Sequence, residues 1–376
     1  MAEPFKHFLD ARLVRAMGAH LGRASPAFAR ERFEALALDG LDALELKARC
    51  HHLCGALEHT LPRDFSTAAA LMEAALATPN GEADSALGAR DDGLAGWAVW
   101  PLTEYVARHG HGDVPRALEA LHAMTQRFSA EWAIRPFLLR HPEVAWPTLA
   151  RWAQDPSPHV RRLVSEGSRP RLPWGMVLGP LVADPAPTLP LLRALQDDAS
   201  EYVRRSVANH LNDIAKDHPM LVVAWVREHL PGASAERRAL LRHASRTLIK
   251  RGDAAMLTAW GLGEAFAGHA RFTLAPQRLA VGDSLQLDLQ LDSSAAAPQR
   301  LVIDYAVHHV KAGGHSTPKV FKGWAIELAP GESRRLARRH SMKAVTTRRY
   351  HPGLHRVDIR INGRPVAEAA FELQAP

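Results

Sequence analysis

Glu131 stands four residues before Arg135, Glu166 three before Arg169, and Asn209 four before a third acid, Asp213. Side chains at that spacing on a helix project together, so each set can build part of one shared groove. A carboxylate in a groove otherwise suited to phosphates weakens binding by repulsion, and either a salt bridge or a reaction must account for it. Both readings stay open, because Glu and Arg at helical spacing pair commonly. Trp132 adjoins the first acid, and Trp174 closes the run Ser165–Trp174, which a glycine and two prolines break. Such an irregular, arginine-containing segment is either a ligand contact or a cap on the next apolar layer. Other chemistries lack their signatures, since the sequence holds no Walker loop, G-x-S-x-G elbow, H-E-x-x-H or dinucleotide-binding glycine motif.

These residues need helices in register, and the chain carries them as a repeat. Asp155-Pro-Ser157-Pro-His-Val160-Arg161-Arg162 returns 43 residues later as Asp198-Ala-Ser200-Glu-Tyr-Val203-Arg204-Arg205. Upstream, Leu149 and Trp152 fall opposite Leu192 and Leu195. A period of about 40–47 residues is that of HEAT-type solenoids, whose helix pairs bury their apolar stripes only by stacking on neighbours. Asp and Ser ahead of Val-Arg-Arg can accept hydrogen bonds from N–H groups of the first turn, so each copy should open with its own cap. In this register Glu166 and Asn209 are equivalent, each six residues after its valine.

Apolar residues recur at helical spacing from Phe5 to about Thr78. Pro79–Gly93 has loop composition; helices resume near Trp97 and continue to about Leu262, punctuated by prolines that suit first turns and connections. After Gly263 the grammar changes. Leu285, Leu287, Leu289 and Leu291 alternate with polar residues, similar alternation follows over 301–310, 320–328 and 357–361, and Asn362-Gly363 is a two-residue hairpin signal. The expected fold is mostly α: a HEAT-like helical-repeat solenoid over residues 1–262, then an all-β immunoglobulin-like sandwich over residues 271–376. Lys311, His315 and Lys319 lie around Gly313-Gly314 in a basic loop between strands, and Lys343, Arg348 and Arg349 form a second basic cluster. Each is either a clamp on a polyanion or a solvated hairpin tip.

The formal net charge of +7 is unevenly spread, with 13 Lys/Arg against 17 Asp/Glu in residues 1–130, 17 against 12 in 131–250, and 16 against 9 in 271–376. That balance favours a polyanionic partner, nucleic acid first, over basicity serving solubility alone. The two cysteines, Cys50 and Cys54, lie one helical turn apart. Cys50-His-His-Leu-Cys54 contains zinc-ligand types without a second ligand pair, so free, buried thiols are expected in place of a metal site. With no 18-residue apolar run and no basic-then-apolar N-terminal pattern, the expected location is the cytosol, away from membranes.

Longer blocks carry a family resemblance: Ser129–Leu138, Arg161–Trp174 and Val203–Pro219, with the opening Pro4–Leu9 and Gly40–Lys47. Over essentially the full length they resemble the AlkC branch of the HEAT-repeat alkylpurine DNA glycosylases. The resemblance implies excision of cationic methylated bases, chiefly 3-methyladenine and also 3-methylcytosine, from double-stranded DNA. It implies kinking of the duplex and approach to the sugar from its backbone side, without full base flipping. An acidic side chain near the deoxyribose would stabilise an oxocarbenium-like transition state and position water, with Glu131 and Glu166 as carriers and Asp213 third. Arg135, Arg162, Arg169, Arg205, Arg242 and Arg246 would be phosphate anchors with Lys250 nearby. Trp132, Trp174, Asn209 and the two basic loops would also contact DNA, and the sandwich would act as a clamp. A monofunctional hydrolase without metal or organic cofactor, acting as a monomer, is expected. The competing readings are a non-enzymatic scaffold for distorted DNA and a protein-interaction solenoid.

Overall fold

The computed structural model describes residues 5–79, 89–262, 264–345 and 349–374. Helices occupy the chain as far as Ala259, and strands follow from Gly268. Of the loop expected at Pro79–Gly93, residues 80–88 lie outside the described ones. Among the described residues no helix is long and apolar enough to cross a membrane. The chain packs as two compact units, Met1–Asp217 with Ala233–Ala244, and His218–Gly232 with Ser245–Pro376. The helices Pro219–His229, Arg246–Arg251 and Ala254–Ala259 therefore pack with the strands, although composition marks the change only after Gly263.

In the helical unit the two repeat copies fold alike. Helices Pro142–Trp152 and Pro158–Gly167 form one pair, Leu189–Leu195 and Glu201–Asp217 the next. Leu149, Val160, Leu192, Leu195 and Val203 are wholly buried, each adding ~1.5–3 kcal/mol that is realised only against neighbouring helices. The aspartates accept from the serine just ahead of each helix and not from its first turn: Asp155 Oδ1 from Ser157 N at 2.8 Å and Asp198 Oδ1 from Ser200 N at 2.9 Å. The serines diverge, since Ser200 Oγ accepts from Val203 N at 3.3 Å while Ser157 makes no side-chain cap bond. The first arginine of each pair is scaffold. Arg161 Nη1 donates to the Asp155 and Pro156 carbonyls at 2.7 and 2.9 Å, and Arg204 Nη1 to those of Asp198 and Ala199 at 2.6 and 2.8 Å. Arg161 also ties the copies together by a two-pronged bond to the Asp198 carboxylate, at 2.6 and 2.9 Å. Nearer the N-terminus, Cys50 and Cys54 are buried free thiols on helix Leu46–Glu58, and burial raises the pKa of both.

In the second unit the strands are β1 (Gly268–Ala275), β2 (Arg278–Leu279), β3 (Ser284–Ser293), β4 (Gln299–Val310), β5 (Ser316–Leu328), β6 (Ser333–Ser341), β7 (Gly353–Ile361) and β8 (Arg364–Leu373). They form a three-stranded sheet, β1-β3-β6, and a five-stranded sheet, β2-β8-β7-β4-β5. The four alternating leucines of β3 are fully buried among Ile303, Tyr305, Val357, Ile359 and Phe371 from the other sheet. Asn362 and Gly363, with φ of 50° and 77°, make the tight β7–β8 turn. That turn packs on the helical part of the unit, where a Cβ on Gly363 would fall 2.4 Å from the Gly252 Cα.

The Arg161–Asp198 pair is largely buried, whereas the Arg237–Asp197 pair beside it is partly open to solvent. Asp198→Ala should lower the stability of the helical unit by about 2–4 kcal/mol, because it strands a half-buried guanidinium. Asp197→Ala should cost less than about 1 kcal/mol. Urea melts of the two variants test this, and equal losses would refute the assigned role of Asp198.

Candidate active site

The three acids converge on one alternating row of charges. Ser129 and Glu131 lie in the turn before helix Arg135–Arg140, Arg162 and Glu166 on helix Pro158–Gly167, Arg169 in the irregular segment that follows, and Ser206, Asp213 and Lys216 on helix Glu201–Asp217. Arg162 Nη1 donates to Glu131 Oε2 at 2.8 Å and to Ser129 Oγ at 2.9 Å, while its Nη2 stands 3.8 Å from Glu166 Oε1. Arg169 bridges onward, from Glu166 Oε1 through Nη1 to Asp213 Oδ2 through Nε at 2.8 Å. Lys216 Nζ ends the row on Asp213 Oδ1 at 2.7 Å, and Ser206 Oγ donates to Glu166 Oε2 at 2.6 Å. Burial works to push the Glu166 pKa up, but Arg162 and Arg169 outweigh it and hold the carboxyl below its ordinary value.

The oxygens of these acids are not equally engaged. Glu166 and Asp213 each have both oxygens bonded to side chains. Glu131 takes both of its bonds, from Ser129 and Arg162, on Oε2. Among the described residues its Oε1 accepts no hydrogen bond, which leaves one fixed, ionisable oxygen available to a substrate or a water.

The pair expected between Glu131 and Arg135 does not form. Arg135 is wholly buried and donates to main-chain carbonyls instead: to Gly167 O at 2.7 Å, and to Met176 O at 2.9 and 2.6 Å. Burial, with Arg169 close by, pulls its pKa down to about 10, so it stays protonated at neutral pH. These bonds pin the segment between Gly167 and Met176. On it Trp174 is 58% exposed with φ at 63°, a left-handed conformation that costs a bulky residue about 1–2 kcal/mol. Trp132 supports the segment through Nε1 to Pro173 O at 3.2 Å, and its ring lies 4.9 Å from that of Trp100. Trp132 thus links the Trp100 ring to the segment that carries Trp174.

A family model described as the C-terminal Ig-like domain of the uncharacterised protein YhaZ matches residues 268–375. The uncharacterized protein YhaZ of Bacillus subtilis (strain 168) is 35% identical over 370 residues, covering 98% of this chain and 99% of that one. Pseudomonas fluorescens alkylpurine DNA glycosylase AlkC, solved bound to DNA containing an abasic site analog, is also 35% identical and superposes with a TM-score of 0.90 over 99% of this chain and 100% of that one. This chain belongs to the AlkC family. The α-solenoid with an Ig-like sandwich, expected from repeat spacing and strand alternation, is the fold of the family.

Within this AlkC fold, the expected phosphate anchors divide by exposure. Arg135 and Arg169 are buried and committed to the carbonyls and the acids, and Arg162 is mostly covered, so none of the three presents an open guanidinium to a phosphate. Arg205, Arg242 and Lys250 are exposed and Arg246 half-exposed, the first two on the helical unit and the others on the second. Asn209, equivalent to Glu166, accepts from His243 Nε2 at 2.9 Å; the two equivalent positions both bond to the next helix of the repeat. On the second unit, Lys311 and His315 sit at the tight β4–β5 tip, Lys319 follows on β5, and Lys343 and Arg349 are exposed. Arg348 lies outside the described residues. Sequence reasoning missed Ser129, Ser206 and Lys216, of which only Lys216, three residues after Asp213, bore a helical-spacing signal.

Behind Glu166, His210 is fully buried; its Nδ1 bonds Ser165 O at 2.9 Å, its Nε2 is without a partner, and burial lowers its pKa to about 4. The unfolded chain, with a histidine near 6.5, takes up the proton first. Stability from this group is therefore full above pH 6.5 and is lost as pH falls from there towards 4. Urea midpoints of wild type and His210→Asn should draw together on acidification from pH 7.5 to 4.5. A constant difference between the two would reject the assignment.

Proposed function

We propose that the protein is a DNA repair glycosylase that hydrolyses the N-glycosidic bond of cationic alkylated bases, 3-methyladenine and 3-methylcytosine, in double-stranded DNA, leaving an abasic site. The observation that carries this reading is the open Oε1 of Glu131, at the end of the row of charges. A base that already bears a positive charge leaves readily, so what the site must supply is stabilisation of the oxocarbenium-like sugar and a positioned water. Glu131 serves both roles through its open oxygen. Glu166 and Asp213, bonded on both oxygens, hold Arg169 and set the negative field around the sugar. Trp132 and Trp174 exclude bulk solvent, which strengthens that field. The likeness to a glycosylase solved on DNA with an abasic site analog supports the same reaction, since base excision leaves an abasic site.

In this reading Arg205, Arg242, Arg246 and Lys250 anchor phosphates, and the sandwich grips the duplex through Lys311, His315, Lys319, Lys343 and Arg349. The kinked duplex offers the sugar from its backbone side, so the base need not be fully extruded. The protein works as a monomer, and no metal or organic cofactor enters the reaction.

Release of 3-methyladenine and 3-methylcytosine from methylated duplex, with EDTA present, is the deciding measurement. Glu131→Gln should slow excision by roughly 10²- to 10³-fold with DNA affinity retained, and Glu166→Gln should slow it less. Full excision by Glu131→Gln would overturn the assignment of that residue. Lesion-independent binding without any release would leave a DNA scaffold as the function.

A further inference from the structure

Tyr202 has no place in the row of carboxylates and cations, yet it closes the outer side of the Glu131–Arg162 pair. It lies in the first turn of helix Glu201–Asp217, where the preceding copy of the repeat has His159, and the two rings meet edge to face at 5.7 Å. The guanidinium carbon of Arg162 lies 4.7 Å from the centre of the Tyr202 ring. The ring is itself 37% exposed, so it covers the arginine from the solvent side.

Arg162 needs such a restraint. Its two close bonds, to Ser129 and Glu131, both leave from one nitrogen, Nη1, and the approach of Nη2 to Glu166 is 3.8 Å. A long side chain held through one atom can rotate away, and arginine forks bind phosphate oxygens strongly. The second copy of the repeat supplies the contrast. Arg205, at the position equivalent to Arg162, is exposed and makes no hydrogen bond among the described residues. The same arginine is covered in one copy and open in the other.

We propose that Tyr202 is a positioning residue for excision, its ring keeping the Arg162 guanidinium on Glu131 so that the glutamate presents its open oxygen and the arginine stays off the DNA phosphates. The inference rests on the role of Glu131 in the glycosylase reaction. A face-on aromatic contact gains strength when the cation is shielded from water, and here the side chains of Arg162 and Glu131 are 17% and 11% exposed. Losing the ring should therefore act on the chemical step and leave DNA binding unimpaired, because the freed arginine would turn to the phosphates.

The test is single-turnover release of 3-methyladenine, with KM and duplex affinity, for wild type, Tyr202→Phe, Tyr202→Leu and Tyr202→Ala, each alone and combined with Arg162→Gln. Tyr202→Phe should keep the wild-type rate, while Leu and Ala should slow the step by roughly tenfold without raising KM. In the Arg162→Gln background, Tyr202→Ala should have no further effect. If Tyr202→Ala does not fold, the Leu variant carries the comparison, since it retains an apolar cover without the ring. A full rate for Leu, an equal loss with and without Arg162, or a loss confined to KM would overturn the proposal. A wild-type protein that excises nothing would overturn the glycosylase reading as well, whereas the variant pattern overturns only the role of Tyr202.

Discussion

Three carboxylates cannot be buried close together unless cations are buried among them. In this protein that constraint produces the row Glu131, Arg162, Glu166, Arg169, Asp213, Lys216, in which each charge has an opposite neighbour. The row crosses a turn, two helices and an irregular segment, so the spacing between helices Pro158–Gly167 and Glu201–Asp217 is set by ion pairs as well as by apolar layers. Removing one partner would leave the others charged and unmatched away from water. The site and the stacking of the repeat are in this sense one structure.

The repeat separates two uses of the same sequence element. Arg161 and Arg204 fold back on the loops that precede them with nearly the same bonds, which is why both copies adopt one geometry. Arg162 and Arg205 have no such duty and are free to differ. One is drawn into the row of charges; the other stays at the surface. The difference between Arg162 and Arg205 leaves the bonds of Arg161 and Arg204 untouched.

Much of this was legible in the sequence, and the remainder was not for identifiable reasons. Helix-pair spacing, the alternating leucines of β3 and the Asn362-Gly363 turn are local signals that packing does not overrule. Strand β6, which carries four arginines, lacks apolar alternation because much of it is exposed, and no pattern of burial could reveal it. The grouping of Glu131, Glu166 and Asp213 followed from helical register, but the partners did not. Glu131 bonds an arginine 31 residues away in preference to the one at helical spacing, because the turn it occupies places Arg135 on the interior side. Boundaries drawn from composition also differ from those drawn from packing, since three helices join the strand-bearing unit.

Arg135 shapes the segment carrying Trp174 through carbonyl oxygens alone, and every residue type has one. The main chain here is thus held without help from the side chain of Trp174, which projects outward. Substitution of Trp174 can therefore leave the acids beneath undisturbed, whereas Arg169, on the same segment, is bound to two of them. A buried cation that recognises only backbone lets the outward side chain of this rim change while the row of charges beneath it stays in place.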